Sequence, residues 1–542
     1  MLITVLFGAN RIEAGGCEIS EIIVTQAMSL AHTHVKNIVD AQIHARSTEP
    51  VSAPKPLPYV LTVEDKAYLV REFVSQAKEV YRSMSGGKDG RGQLEGKYRE
   101  AMAKQLREDS AWGSRHVVER NMAVDFVSYT AFREVLLEST TEGSAQVEGA
   151  ASTEGQLDEL AKHKAARRVD GRAANQLRPI SCQADVLPVV HGSAYFTRGD
   201  THLLSTVTLA SVAETKLSMA VDYEGKPKEE NFFLHYDFPP YCTGELGNVT
   251  AVNRRMIGHG KLAEKALRYV LPSFADFPYT VRVFGECTSS NGSSSMAAVC
   301  AGSVAMLDAG VPLKGAVGGV SVGLVSSPDQ SKHLLLKDII GSEDHYGDMD
   351  FKVAGTRKGV TAIQLDVKLE GGVPLHFLVS ALKIAKEGRL EILQHLQGAV
   401  TKDIGLKAHA PRAELIKIDA TRVDHLVGPR GDTIKFLQKA FNVDIELRED
   451  LSVYVYGQNA AAVKEARGCI EDIAVGLKPG TWVLATVMQV QDFGAIVRIN
   501  RAGEGFVHIS DFSHDQDILK QPVSAVLQPG HRFRAKVRAI LL

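Results

Sequence analysis

The sequence predicts a mixed α/β (α+β) protein of several domains. Its 542 residues, at roughly 100–200 residues per domain, call for several domains rather than one. From Arg172 onward, short apolar strands such as Thr201-His-Leu-Leu-Ser-Thr-Val-Thr-Leu209 alternate with helical stretches at 260–272, 294–309 and 376–398. Before that point, residues 62–138 carry helical periodicity, with Leu69, Phe73 and Ala77 recurring every fourth position.

Taken in order, residues 1–46 read as a strand over Met1–Phe7, a turn at Gly15-Gly16 and a helix on which Ile23, Ala27, Ala31 and Val35 recur. No basic region precedes the strand, so it does not read as a signal peptide. Ser47 to Pro58 is a linker with four prolines. In the helical region, Val117, Met122, Phe126 and Phe132 line a later helix. Thr140 to Gly155, rich in Gly, Ser, Thr and Glu, is predicted to be disordered. The α/β stretch then runs to about residue 400, and residues 401–410 link it to a small unit at 411–475 and a β-rich unit at 479–542. The closing run Phe533–Leu542 is a strand pattern with no close after it, and both ends read as falling inside a domain.

Bulk composition excludes more than it assigns. With 44% hydrophobic and 23% charged residues, the chain is ordinary for a globular protein. A net charge of −2 announces no global nucleic-acid surface, so any basic patch must be local. No apolar run approaches the ~20 residues of a membrane span. The six cysteines contain no Cys-x-x-Cys pair, which argues against a zinc site or a disulfide framework and for reduced thiols.

Two segments carry chemistry. Gly341-Ser-Glu-Asp-His-Tyr-Gly-Asp-Met-Asp-Phe-Lys352 packs Glu343, Asp344, Asp348, Asp350 and Lys352 together. Mg²⁺ takes a few carboxylates plus water and substrate phosphates. If 348–354 is a strand, Asp350 and Lys352 share a face, and the lysine offsets charge on phosphorus. A solvated acidic turn is the plain alternative. Upstream, Ser289-Ser-Asn-Gly-Ser-Ser-Ser295 precedes the small-residue helix from Ala297, which places the serines at a helix N-terminus that favours an anion. A simple N-cap is the competing explanation. A metal site beside an anion site is what phosphoryl transfer requires.

Three further segments suggest RNA. Arg254 and Arg255 precede a Gly-His-Gly turn with His259, and paired guanidiniums suit phosphate oxygens; surface charge and a structural histidine are the plainer explanations. In 411–475 the order strand, helix, Val427-Gly-Pro-Arg-Gly431, helix, strand, strand, helix matches the RNA-binding KH module. Its Gly428 and Gly431 let a sugar-phosphate backbone approach, and Arg430 adds a phosphate partner. In 479–542, Phe493, Phe506 and His508 are rings that an OB barrel exposes for base stacking, although at least one belongs in the barrel core on the plain reading. Arg532, Arg534, Lys536 and Arg538 alternate on one strand face, as a solvated edge or a backbone-tracking groove.

Together these residues resemble the polynucleotide phosphorylase family over nearly the whole chain. Gly341–Lys352, Ser290–Met296, Phe238-Pro-Pro-Tyr-Cys-Thr-Gly-Glu245 and His191-Gly-Ser-Ala-Tyr-Phe-Thr-Arg-Gly199 are similar to its second RNase-PH-like domain. The resemblance implies an RNase-PH-like core (ribosomal protein S5 domain 2-like) at 167–400 and an all-α linker domain with its insert at 47–166. It also implies a KH domain at 411–475 and an OB-fold domain, incomplete at its C-terminus, at 479–542. Residues 1–46 would be the closing strand and helix of a first, otherwise missing, PH-like domain. The implied activity is phosphate-dependent 3′→5′ decay of single-stranded RNA to nucleoside diphosphates, reversible as template-independent polymerisation. On that resemblance Ser293, Ser294 and Ser295 hold the attacking phosphate, and Asp344 and Asp350 ligate Mg²⁺ (or Mn²⁺). Lys352 stabilises the transition state, Asp350 helps protonate the leaving 3′ oxygen, and Arg254 and Arg255 hold the RNA 3′ end with His259 nearby. The family further implies a homotrimer, with helicase or endonuclease partners, no membrane association, and location in an organelle matrix such as the mitochondrial one if eukaryotic or the cytoplasm if bacterial. The long insert at 140–166 favours the former. Two competing functions remain: a two-metal hydrolase, against which the phosphate-binding serines argue, and a catalytically incomplete RNA-binding fragment, which the missing domain favours.

Overall fold

The small-residue helix after the serine run is the organising element, because both of its faces are apolar and neither tolerates water. In the computed structural model, which describes residues 2–4, 11–45, 59–83, 87–144, 167–221, 227–249, 254–329, 331–369, 371–399, 405–475, 480, 482–499, 503–511 and 522–538, this helix spans Ser294–Asp308. Every residue from Ser294 to Met306 is buried. The chain divides into two compact units, one of residues 1–208, 232–272 and 281–406, the other of 209–231, 273–280 and 407–542.

The first unit opens with β1 (Leu2–Thr4) and β2 (Arg11–Ile19), then the helix Glu21–Ala45. The expected turn at Gly15-Gly16 does not form, because both glycines lie inside β2, where Gly15 pairs with Ala362 of a later strand and Gly16 falls in the register shift that follows. The helix buries Val24 and Met28, whereas Ile23, on the stripe read from the sequence, is exposed. Helices follow at Val63–Leu69, Ser75–Ser83, Lys88–Glu108 and Val117–Ser144, the first two joined by a π-turn over Val70–Val74. Thr62 and Asp65 form a reciprocal capping box at the first. Leu69, Tyr81, Trp112, Phe132 and Leu136 fill the core of this bundle, each large apolar side chain contributing about 1.5–3 kcal/mol. The last helix runs through Thr140–Ser144, where disorder was expected; the rest of that insert, and the linker at 47–58, lie outside the described residues.

The α/β stretch contributes β3 (Ile180–Ala184), β4 (Gly192–Arg198), β5 (Thr201–Ala210), β6 (Lys216–Val221), β7 (Pro227–Glu230), β8 (Phe232–Asp237), β9 (Thr280–Ser289), β10 (Gly318–Ser326), β11 (His333–Lys337), β12 (Met349–Gly355) and β13 (Val360–Val367). One sheet has the order β1-β2-β13-β12-β10-β11, all antiparallel. A second has the order β3-β4-β5-β9-β8, with β8 and β9 parallel; β6 and β7, which fall in the second unit, pair with each other. The helix Ser294–Asp308 lies between the two sheets. A Cβ on Gly192 of β4 would come within 2.3 Å of the Ala305 carbonyl, so only glycine admits so close an approach. Helices at Arg254–Arg268, Gly341–Tyr346 and Leu375–Ala399 complete the unit.

In the second unit, β14 (Arg412–Lys417), the helix Val423–Val427, the turn at Pro429–Gly431, the helix Asp432–Phe441, β15 (Asp444–Leu447), β16 (Ser452–Gly457) and the helix Ala460–Val475 follow the order read from the sequence. Their sheet has the order β14-β16-β15. The β-rich segment gives β17 (Trp482–Gln491), β18 (Gly494–Ile499), β19 (Gly503–His508) and β20 (Arg532–Lys536), ordered β19-β18-β17-β20 around Ala485, Val487, Ala495 and Val497. Among the described residues the cysteines are free, and no helix is long and apolar enough to cross a membrane.

Candidate active site

The serine run ends in a strained turn. Ser293 has φ 56° and ψ 31°, left-handed for a residue with a side chain, and makes no side-chain cap bond. Such a conformation persists only where its surroundings over-determine it. Here Arg198 Nη2 donates to the Ser293 carbonyl at 2.8 Å and Arg178 Nη1 to that of Asn291 at 2.9 Å, while Thr201 Oγ1 donates to that of Gly292 at 3.0 Å. Both arginines are anchored on Asp338, which is fully buried: Arg178 grips it with two bonds of 2.7 and 2.9 Å, and Arg198 Nε stands 3.3 Å away. Burial alone would raise the Asp338 carboxyl, but Arg178 and Arg198 hold it far below the usual carboxylate range.

From that turn the helix Ser294–Asp308 presents its first N–H groups, which no helical carbonyl can satisfy. Ser295 Oγ is buried with no hydrogen-bond partner, an unspent polar group at the helix start. Ser294 Oγ accepts from the Tyr236 hydroxyl at 2.8 Å. Ser293 Oγ shares a hydrogen bond with Ser321 Oγ on β10. Ser321 is paired across the ladder with Lys352 on β12, so the serines and the lysine adjoin.

The acidic segment is no loop. It is the helix Gly341–Tyr346 followed by β12, and the expected shared face of Asp350 and Lys352 is present: Lys352 Nζ lies 2.9 Å from Asp350 Oδ2 and donates to Gln364 Oε1 at 3.1 Å. Asp350 Oδ1 is buried and has no hydrogen-bond partner. Burial drives the Asp350 carboxyl up; Lys352 opposes the shift and the nearby charge of Asp344 adds to it, leaving it raised. Asp344 is half-exposed, with Lys368 Nζ 3.2 Å away. The other two carboxylates of the run do something else. Glu343 is fully buried against Arg168, at 2.7 Å from its Nε, and accepts from the Ile340 N–H at 2.9 Å to cap the helix. Asp348 takes Arg133 through two bonds of 2.6 and 2.8 Å, and the N–H and hydroxyl of Ser326 at 2.7 Å each.

The expected Gly-His-Gly turn is instead part of the helix Arg254–Arg268, which begins at the arginines themselves. Arg254 and Arg255 are exposed on its first turn, and the Arg255 guanidinium lies 5.8 Å from the Phe238 ring centroid. His259 meets the Tyr236 ring edge-on at 5.7 Å, with its Nδ1 buried and unpartnered. Burial first, then the charges of Lys352 and Arg255, push its imidazole down to about 3. Serines, Lys352, Asp350 and His259 therefore meet in one place. Ser321, Gln364, Tyr236, Arg198 and Asp338 belong with them and were not singled out from the sequence. Arg198 sits inside the His191–Gly199 run, and Tyr236 sits two residues before the Phe238 run. Neighbourhood to a dense motif was the available signal.

The second unit carries separate surfaces. Gly428 has φ 71° and a Cβ there would meet Thr433 Oγ1 at 2.1 Å, so the turn requires glycine; Arg430, at φ 56°, projects exposed between it and Gly431. Phe493 and Phe506 are 59% and 50% exposed, and His508 is exposed too, so none of the three rings is in the barrel core as the plainer reading had it. Arg532, Arg534, Lys536 and Arg538 are exposed while Phe533, Ala535 and Val537 are partly covered, as the alternation predicts. Among the described residues no three His, Cys, Asp or Glu side chains gather into a metal cage.

The sequence is similar to those of known proteins. Residues 176–312 match the model of the 3′ exoribonuclease family, domain 1, residues 413–472 the KH domain, and residues 477–540 the S1 RNA binding domain. The chain is 38% identical over 533 residues to a polyribonucleotide nucleotidyltransferase of Methylacidiphilum infernorum, covering 97% of this chain and 70% of that one. It is 36% identical over 549 residues, with the same coverage, to one from Listeria welshimeri. A third, from Ruegeria sp., is 43% identical over 382 residues, 69% of this chain and 53% of the relative.

Proposed function

The chain belongs to the polyribonucleotide nucleotidyltransferase family of phosphorolytic 3′→5′ exoribonucleases with RNA-binding KH and OB-type domains, and on that premise we propose how its residues divide the work. Ser293, Ser294 and Ser295, with the free N–H groups of their helix, hold inorganic phosphate. Lys352 faces the reacting phosphorus and offsets its developing charge. Arg254 and Arg255 bind the phosphates of the RNA 3′ end, and His259, kept neutral, packs beside them. The phosphate oxygen attacks the terminal phosphodiester, the bond to the 3′ oxygen breaks, and Asp350 helps a proton from the attacking phosphate or solvent reach that oxygen. Because one phosphoryl bond is exchanged for another, the same site also extends RNA from nucleoside diphosphates.

The bond from Ser293 to Ser321, and the pairing of Ser321 with Lys352, carry this reading, because they set the phosphate seat against the charge-stabilising lysine. Phosphoryl transfer is mostly positioning and charge neutralisation, and this geometry is suited to both. Asp350 Oδ1, buried and unpartnered, fits a hard divalent cation such as Mg²⁺ or Mn²⁺, with Asp344 as the second ligand. When bound, that cation neutralises charge on phosphate oxygens. Residues 167–400 serve catalysis, and the described helices between residues 63 and 144 brace them. The 411–475 and 479–542 modules hold single-stranded RNA through Gly428, Arg430, Gly431, Phe493, Phe506 and His508. A homotrimer is the assembly proposed, to be checked by gel filtration.

Decay of a single-stranded RNA with Mg²⁺, with and without inorganic phosphate, tests the proposal. Nucleoside diphosphates that appear only with phosphate are expected. Monophosphates would indicate hydrolysis and remove the phosphate-seat role of the serines. RNA bound without turnover would make the chain a binding fragment.

A further inference from the structure

We propose that Tyr236 is a positioning residue for the attacking phosphate, setting the direction of the Ser294 hydroxyl. The inference rests on the reading of Ser293–Ser295 as the phosphate seat. A serine that holds an anion must aim its proton at it, yet a free hydroxyl rotates and can equally turn a lone pair toward the ligand. The Tyr236 hydroxyl donates to Ser294 Oγ at 2.8 Å, with both residues buried. A lone pair of Ser294 is thereby occupied, and the serine's own proton is left to point away from the tyrosine. Ser295 Oγ beside it is buried with no partner, so the helix start keeps hydroxyl capacity unspent within the protein.

The tyrosine is itself well placed to hold that direction. It lies in β8, paired in parallel with β9 opposite Gly285, and its ring stacks on Phe238 at 6.1 Å and meets His259 edge-on at 5.7 Å. Burial keeps its phenol protonated well beyond the ordinary range, so it remains a donor wherever the enzyme works. Tyr236 therefore touches the phosphate seat with its hydroxyl and the proposed RNA 3′-end group with its ring, and couples the two substrates' positions without contacting the reacting atoms.

The test is steady-state phosphorolysis of single-stranded RNA by the full chain, with inorganic phosphate varied, for Y236F, S294A and the double variant. Loss of one well-aimed hydrogen bond corresponds to about a tenfold change. Y236F is expected to raise KM for phosphate by about tenfold while kcat at saturating phosphate, the Kd for RNA and Tm stay near those of the parent. The double variant is expected to be no worse than S294A alone, since both remove the same interaction. A parental KM for phosphate in Y236F, beside a raised one in S294A, would overturn the role of Tyr236 and leave the phosphate seat standing. Full additivity would overturn it as well. An unchanged KM in S294A would overturn the phosphate seat itself. Should Y236F melt early, a ring-fluorinated tyrosine at 236 keeps the shape and strengthens the donor; KM for phosphate should then fall, and no change would refute the proposal.

Discussion

Lys352 and Asp350 are each only 9% exposed at the side chain, whereas Phe493 and Phe506 are more than half or half exposed. The same contrast runs through the two units. In the first, polar groups are buried and cross-braced: Asp338 serves Arg178 and Arg198, Glu343 serves Arg168, and Asp348 serves Arg133. In the second, the groups proposed to meet RNA stand on a glycine turn and an open sheet face. The difference follows from the tasks. Charge stabilisation of a phosphoryl transfer works best with preorganised groups away from water, while a passing RNA strand must reach its stacking rings and cations from solvent. Substitutions in the first region should therefore break the fold or the chemistry, and those in the second should change affinity alone.

The strongest attempt to break that contrast is Asp338→Asn. It removes the carboxylate that pairs the buried Arg178 and Arg198, and unfolding experiments should show a loss of about 3–5 kcal/mol. Next, Lys352→Met should lower kcat by about 10²–10³-fold in a phosphorolysis assay, with RNA binding retained. Phe506→Ala should weaken RNA binding by about 1–3 kcal/mol in a titration, without altering kcat or Tm. A kcat effect there would erase the distinction between the regions. Acid stability tests the buried side of the contrast separately. His259 is neutral in the folded protein down to about pH 3, while the unfolded chain takes up its proton near the ordinary imidazole value of about 6.5. Above that value neither state is charged and the group is silent. Below it the unfolded chain gains a proton the folded one refuses, so stability falls with falling pH by up to about 1.4 kcal/mol per unit, until about pH 3. His259→Asn should flatten that slope in pH-dependent denaturation.

Much of this was legible in the sequence because local pattern and tertiary role agree. The order of elements around Gly428–Gly431 needs only helical and strand periodicity plus a glycine turn, and the alternation of Arg532, Arg534, Lys536 and Arg538 reads directly as one strand face. The misread positions are those where a distant partner decides. Gly15-Gly16 signals a turn until β13 pairs with Gly15 and draws the segment into the sheet, and Gly258-His259-Gly260 signals one until the helix Arg254–Arg268 runs through it. The acidic run shows the limit most clearly. Asp344, Asp348 and Asp350 are alike in sequence, and only the arrival of Arg133 from 215 positions away separates a structural carboxylate from the others. Tyr236, Ser321 and Asp338 were missed for the same reason, since each matters through what it touches across the fold.

That separation of like carboxylates is the most direct test of the account, measured as Tm and kcat side by side for Asp348→Asn and Asp350→Asn. Asp350→Asn should keep the parental Tm and RNA affinity with turnover abolished, while Asp348→Asn should lower Tm sharply and leave the surviving folded enzyme active. A stable but inactive Asp348→Asn, or an active Asp350→Asn, would contradict the division of structural and catalytic roles drawn from the geometry.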